Sequence, residues 1–238
     1  MTGDRMTSDP MAGDFQGAHA ADALRRGLGR VGRAAGAWCT LYRPASAGAA
    51  LAPRNRILRM QAAFGPPGAQ WRAPAYGAPA WFGYFDAAYT RAGDYILREE
   101  SRPGAQDGGI WFIASQDAML PLLCIRTTRI LDIARPGGAT AHGVNPYGGP
   151  SPATTTPLLT QWPASVTTAG TSGGPSGGTG SLPADAGAVT WTILMPHHTG
   201  TTLKNGDTLT DDLGRSALIA TTELTHLGWH LTARQTTP

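Results

Sequence analysis

Turn formers set the first limit on this chain. It holds 32 glycines and 19 prolines among 238 residues. In a helix interior each glycine costs about 1 kcal/mol relative to alanine and each proline about 3 kcal/mol. Long helices and helical bundles are therefore all but excluded, and many short strands joined by tight turns are favoured. Hydrophobic residues make up 41% of the chain, enough for a core, but charged residues only 15%, against about 25% in ordinary soluble domains. Thr, Ser and Gly must then form much of the solvent-facing surface. At roughly 150 residues per domain, the length suits one large domain or two small ones.

Residues 1–19 are small, polar and without period, and are predicted to form a flexible arm. Over 20–36, Leu24, Leu28 and Val31 recur at helical spacing while Arg25, Arg26, Arg30 and Arg33 lie elsewhere round the wheel, which predicts one short amphipathic helix. Gly27, Gly29 and Gly32 weaken it, so it needs a partner surface to stay formed. From Trp38 onward the pattern is that of strands. Those predicted at 37–42, 56–62, 81–89, 95–98, 110–115 and 122–133 make a first β unit, 37–134. Residues 135–156 read as a linker. A second unit, 157–238, has strands at 158–166, 189–195, 207–211, 216–222 and 228–233, and a flexible loop at about 168–187 whose one charge is Asp185. In the 189–195 strand Trp191, Ile193 and Met195 share a face. The expected fold is mainly β: two small antiparallel barrel or sandwich units behind an N-terminal arm and short helix (1–36), with long Gly/Pro/Thr-rich loops.

The two units echo each other. Gly93-Asp94-Tyr95-Ile96-Leu97 precedes a turn and then Ile110 to Ser115, while Gly206-Asp207-Thr208-Leu209-Thr210 precedes a turn and then Ala217 to Thr221. Both read "Gly-Asp, strand, turn, strand ending Ile-Ala-Ser/Thr". A Gly-Asp pair suits a tight corner, because glycine tolerates the unusual φ and aspartate bonds nearby backbone donors. A duplication and two unrelated hairpins both account for this pattern.

Chemistry-bearing patterns are weak. Gly27-Leu28-Gly29-Arg30-Val31-Gly32 matches G-x-G-x-x-G, but with no strand before it nothing aims backbone donors at a pyrophosphate. Glu223, His226 and His230 have helical ligand spacing, yet their Gly- and Thr-rich surroundings predict strand-turn-strand, which separates them. His197-His198 is predicted at a solvated loop tip with its rings pointing apart, and Glu99-Glu100 and Asp211-Asp212 are predicted in turns. Cys39 and Cys124 read as two buried thiols, with a disulfide the alternative and no metal cluster possible from the pair. Nine arginines against four aspartates in residues 1–60 make the N-terminus basic, but without the interleaved aromatics of a single-strand reader. The N-terminal stretch has no apolar core of a signal peptide and the most apolar run, 119–125, is too short to span a bilayer, so a soluble protein of the cytoplasm is expected. No catalytic, cofactor or metal residue is assigned, and no enzyme activity is expected.

The run Asn205-Gly206-Asp207-Thr208-Leu209-Thr210-Asp211-Asp212-Leu213-Gly214-Arg215, with Leu218-Ile219-Ala220 and Leu227 to Leu231 after it, resembles the small β-barrel proteins at the neck of tailed bacteriophages, the head-closure (stopper) and head-tail joining family. Earlier blocks, among them Tyr42-Arg43-Pro44, Phe85 to Tyr89, Gly93-Asp94-Tyr95, Trp111 to Ala114 and Leu120 to Cys124, are similar to proteins encoded among phage and prophage structural genes. Family members are much shorter, so this chain would be an extended form with two β units. The resemblance implies a virion component at the head-tail junction: a homo-oligomeric ring that contacts a portal or adaptor protein and tail proteins, and surrounds DNA without reading its sequence or carrying a membrane anchor. A tail-surface or capsid-decoration protein is the nearest alternative, and a phage-encoded polysaccharide-binding module or hydrolase using Glu223 or Asp212 is the more distant one.

Overall fold

The computed structural model describes residues 11–66, 78–99, 109–117, 120–137, 155–169 and 189–236. In chain order these form α1 (Met11–Ala35), β1 (Ala37–Tyr42), β2 (Arg56–Gly65), β3 (Ala80–Tyr84), β4 (Tyr95–Arg98), β5 (Gly109–Ser115), β6 (Leu122–Arg126), β7 (Arg129–Pro136), β8 (Thr155–Ala169), β9 (Thr190–Met195), β10 (Thr208–Asp211), β11 (Ser216–Thr225) and β12 (Gly228–Gln235). Two sheets close on themselves, in ring order β1-β2-β3-β6-β5-β4 and β7-β8-β9-β12-β11-β10. Counted from its own first strand, each barrel has the same order, first-second-third-sixth-fifth-fourth. Closure pairs each of the twelve strands on both sides, so that among the described residues no sheet edge is left open.

The sequence echo marks equivalent places in this shared topology. Gly93 and Gly206 both have positive φ, 91° and 89°, at the turns that lead into the fourth strand of each barrel. Gly93 N–H donates to the Ile113 carbonyl at 2.8 Å and Gly206 N–H to that of Ile219 at 2.9 Å. The pairing then slips between Ile113 and Ser115 in one barrel and between Ile219 and Thr221 in the other, making Ala114 and Ala220 the odd residues of matching bulges.

Inward side chains fill both barrels. Cys39, Leu41, Phe85, Ile96, Ile113, Leu122 and Cys124 form the first core. Leu131, Ile133, Trp162, Trp191, Ile193, Met195 and Leu231 dominate the second, which also takes in Tyr95, Phe112 and Ile125 of the first barrel. Both cysteines are free thiols. Burial pushes the Cys39 thiol up to about 11 and raises that of Cys124 further, so both stay protonated.

The seam between the barrels is hydrogen-bonded as well as apolar. The buried Tyr95 hydroxyl donates to the Pro163 carbonyl at 2.8 Å. Trp162 Nε1 donates to the Ala47 and Gly48 carbonyls at 3.1 and 2.9 Å. Gln161, beside it on β8, has φ 54°, and its N–H donates to Asp132 Oδ1 at 2.7 Å. This local bond holds a conformation that non-glycine residues rarely adopt.

Several expectations need correction. The predicted strand 81–89 ends at Tyr84 and gives way to a 3-10 turn over Ala87–Tyr89, whose entry Asp86 caps by accepting from the Ala88 N–H. The predicted strand 122–133 is two strands in different barrels. Thr127 N–H donates to Ile110 of the first barrel at 2.8 Å, and Thr128 N–H to Ala164 of the second at 2.9 Å. The boundary between units therefore lies at Thr127-Thr128, and Arg129 to Ala134 belong to the second unit instead of the first. Of the predicted linker 135–156, residues 135, 136, 155 and 156 are in strands and 138–154 lie outside the described residues; of the predicted loop 168–187, residues 168 and 169 are in β8 and 170–187 lie outside the described residues. Finally, helix begins at Met11, inside the predicted flexible arm, and runs for 25 residues; residues 1–10 lie outside the described residues. The long helix survives its glycines because two of them face the barrel. Ala21, Leu28, Gly29 and Gly32 are buried, while Val31 is 44% exposed. A Cβ on Gly32 would stand 2.6 Å from the Tyr84 carbonyl oxygen and 2.9 Å from that of Gln61, so glycine permits an approach that no other residue allows.

Candidate functional site

Each barrel carries one arginine clamped to the aspartate of its Gly-Asp corner. Arg43 follows β1, and its Nε and Nη2 donate to Asp94 Oδ1 and Oδ2 at 2.8 and 2.7 Å. Arg135 in β7 does the same to Asp207 at 2.8 and 2.9 Å. Each Nη2 also reaches a carbonyl five residues before the aspartate, that of Tyr89 in one case and Thr202 in the other. A backbone N–H three residues before the aspartate donates to it as well, from Arg91 at 3.0 Å and Lys204 at 2.8 Å. The aspartate side chains are 1% and 2% exposed. The two-pronged bond fixes both the direction of the chain and the distance between the first and fourth strands. Hydrogen bonding to the carboxylate holds both guanidiniums above the usual arginine range.

Other acidic side chains singled out in the sequence are similarly engaged. Asp211 closes the β10–β11 turn by accepting from Leu213 and Arg215 backbone N–H at 3.1 and 2.8 Å and from the Arg215 side chain. Burial works to raise its carboxyl, but the bonds from Arg215 together outweigh it and hold the group below its ordinary value. Glu99, placed in a turn by sequence, accepts from Arg59 Nε at 2.8 Å and from the Thr40 hydroxyl at 3.1 Å, and Arg59 lowers it. Glu100 lies outside the described residues.

The histidines divide. Glu223 and His230 face each other across β11 and β12, with His230 Nδ1 3.6 Å from Glu223 Oε2 and both side chains well exposed. His226 sits in the turn between them, so the three do not converge. Among the described residues, no group of three or more His, Cys, Asp or Glu is placed to hold a metal ion. Rings of the adjacent His197 and His198 point to different neighbours, Trp229 at 6.1 Å and Trp162 at 5.2 Å. They border a cleft of about 320 Å³ at the barrel seam together with Arg43, Arg91 and Trp162. His198 is half-buried there instead of solvated, and burial first, then the charge of His197, lowers its imidazole.

Sequence reasoning missed Arg43 and Arg135 as the partners of the Gly-Asp corners. A signal was present: an Arg-Pro pair marks the end of the first strand of each barrel, Arg43-Pro44 directly after β1 and Arg135-Pro136 as the last two residues of β7. The basic G-x-G-x-x-G stretch is accounted for by helix-on-barrel packing through Gly29 and Gly32. No helix among the described residues is long and apolar enough to cross a membrane. No protein-family model matches the chain, no characterised protein matches it, and no solved structure matches it.

Proposed function

We propose that this protein is a structural subunit of a tailed-bacteriophage virion, placed at the head-tail junction in a neck or connector ring, where it joins head to tail around the DNA channel and catalyses no reaction. The observation that supports this reading best is the doubled corner. The Gly206 to Arg215 run that resembles the neck barrels is the hairpin of a small closed barrel, and the chain builds an equivalent corner a second time at Gly93. Two closed barrels sharing a hydrogen-bonded seam suit a part that transmits force without deforming, because no strand edge among the described residues is left unpaired. Its partners would be further copies of itself, a portal or adaptor protein and tail proteins, with DNA passing unread.

Mass spectrometry of purified particles and electron microscopy of particles carrying a labelled copy test the reading. The protein should be present and its label should lie between head and tail. Deleting its gene should leave filled heads and separate tails. Absence from particles, or joined virions in the deletion, overturns the proposal, and a label on the capsid or tail surface replaces it with a decoration role.

A further inference from the structure

A larger cleft, about 770 Å³, opens at the seam and is bordered by Arg98, Arg126 and Arg129. The three lie at the end of β4, the end of β6 and the start of β7, so both barrels contribute. Arg98 pairs with the inward Cys39 across β1 and β4, and Arg126 with the inward Trp111 across β5 and β6. Both arginines therefore project from inward positions at strand ends, where the first barrel opens toward the cleft. Neither is in an ion pair with a described carboxylate, whereas Arg43, Arg59, Arg135 and Arg215 all are. Among the described residues Arg98 Nε is buried without a hydrogen-bond partner, an uncommon state for a charged donor. Arg126 lies over the Trp111 ring at 5.8 Å. Arg129 is held loosely, 3.9 Å from Asp211 and 4.0 Å from Asp212.

Two carboxylates border the same cleft and oppose an anion. Glu99 is already neutralised by Arg59, and Asp212 is 39% exposed beside Arg129. Among the described residues the local balance stays positive, with two guanidiniums that have no carboxylate partner there. A guanidinium presents parallel N–H donors that match the oxygens of carboxylate or phosphate. One such fork fills a planar carboxylate, while forks from three strands suit a tetrahedral group with oxygens on several sides. We propose that this cleft binds a phosphate group, supplied either as free phosphate or as a phosphodiester of a nucleic-acid strand. The proposal concerns the seam alone and stands whether or not the head-tail reading holds.

Calorimetric titration of the full chain with inorganic phosphate, and separately with a short single-stranded oligonucleotide, tests it in low-salt buffer free of phosphate. At least one probe should bind. Arg126→Gln and Arg129→Gln should each weaken that binding about tenfold or more, while Arg234→Gln, the same charge change at an exposed position on β12, should leave it unchanged. Thermal melts confirm that each variant is folded, and either cleft variant serves if the other is not. Binding of phosphate identifies the free ion as sufficient, and binding of the oligonucleotide alone identifies the phosphodiester. Failure of both probes to bind, or equal weakening by Arg234→Gln, overturns the proposal.

Discussion

Arg43 and Asp94, 51 residues apart, are joined by two parallel hydrogen bonds that tie the end of β1 to the corner before β4. Arg135 and Asp207 repeat the bond in the second barrel. Removing one member of a buried ion pair costs about 3–5 kcal/mol, and these arginines are partly exposed, so the lower end applies. Asp94→Asn should lower the unfolding free energy by about 3 kcal/mol. Asp207→Asn should cost somewhat less, because its arginine is 35% exposed against 26% for Arg43. Denaturant unfolding measures both. Losses under about 1 kcal/mol, the level of a surface pair, would show that the corners do not depend on the clamps.

Glycines in α1 should respond to alanine with opposite signs. A Cβ on Gly27 meets nothing within 4 Å, so Gly27→Ala should stabilise the protein by roughly 0.5–1 kcal/mol through helix propensity and the unfolded chain. Gly32→Ala presses against two backbone carbonyls of the barrel and should cost about 1–3 kcal/mol. Thermal melts of the two variants decide; equal shifts would mean that α1 does not lie tightly on β2 and β3.

Strands were legible where short apolar alternations stand between turn formers. Trp191, Ile193 and Met195 are all fully buried on one face, as their spacing predicts. The paired Gly-Asp corners were also visible, since they depend on local backbone chemistry. Interactions reaching across the chain were not. Gly32 reads as a helix breaker until the surface it approaches is known. The break between barrels leaves one trace: inward positions are even-numbered at Leu122 and Cys124 and odd-numbered at Leu131 and Ile133. That change of phase at Thr127-Thr128 is hidden inside a continuous β-type run. Arg43 and Asp94 each look like ordinary polar residues, and only closure of the barrel brings them together.

Tyr95 should couple the stability of the two barrels. Its hydroxyl donates to the Pro163 carbonyl in the buried seam, and its ring meets Trp162 edge-on with centroids 6.1 Å apart. Tyr95→Phe keeps the ring but strands a buried carbonyl, at a cost of about 1–3 kcal/mol. Because one core contains side chains from both barrels, calorimetry should show a single unfolding transition in the native chain and in the variant, at lower temperature in the latter. Two separated transitions in the native chain would mean that the seam does not join the barrels into one cooperative unit.

Acid should destabilise the protein in two stages. Burial and the charge of His197 hold His198 below its ordinary value of 6.5, so the unfolded chain takes up this proton first. The neutral imidazole's contribution is complete above pH 6.5 and declines as pH falls from there toward the lower folded value. Glu99, lowered chiefly by Arg59, and Asp211, lowered by Arg215 against the effect of burial, behave as depressed carboxylates. Their contribution is complete above the ordinary values of 4.5 and 3.8 and is lost as pH falls through the folded values. Urea midpoints measured across this range should therefore fall gently below about pH 6.5 and steeply below about pH 4. His198→Gln should flatten the first descent and keep the second, while Asp211→Asn should lower stability at neutral pH and soften the second. A His198→Gln variant whose midpoint falls as fast as the native chain's just below pH 6.5 would exclude His198 as the source of the first stage.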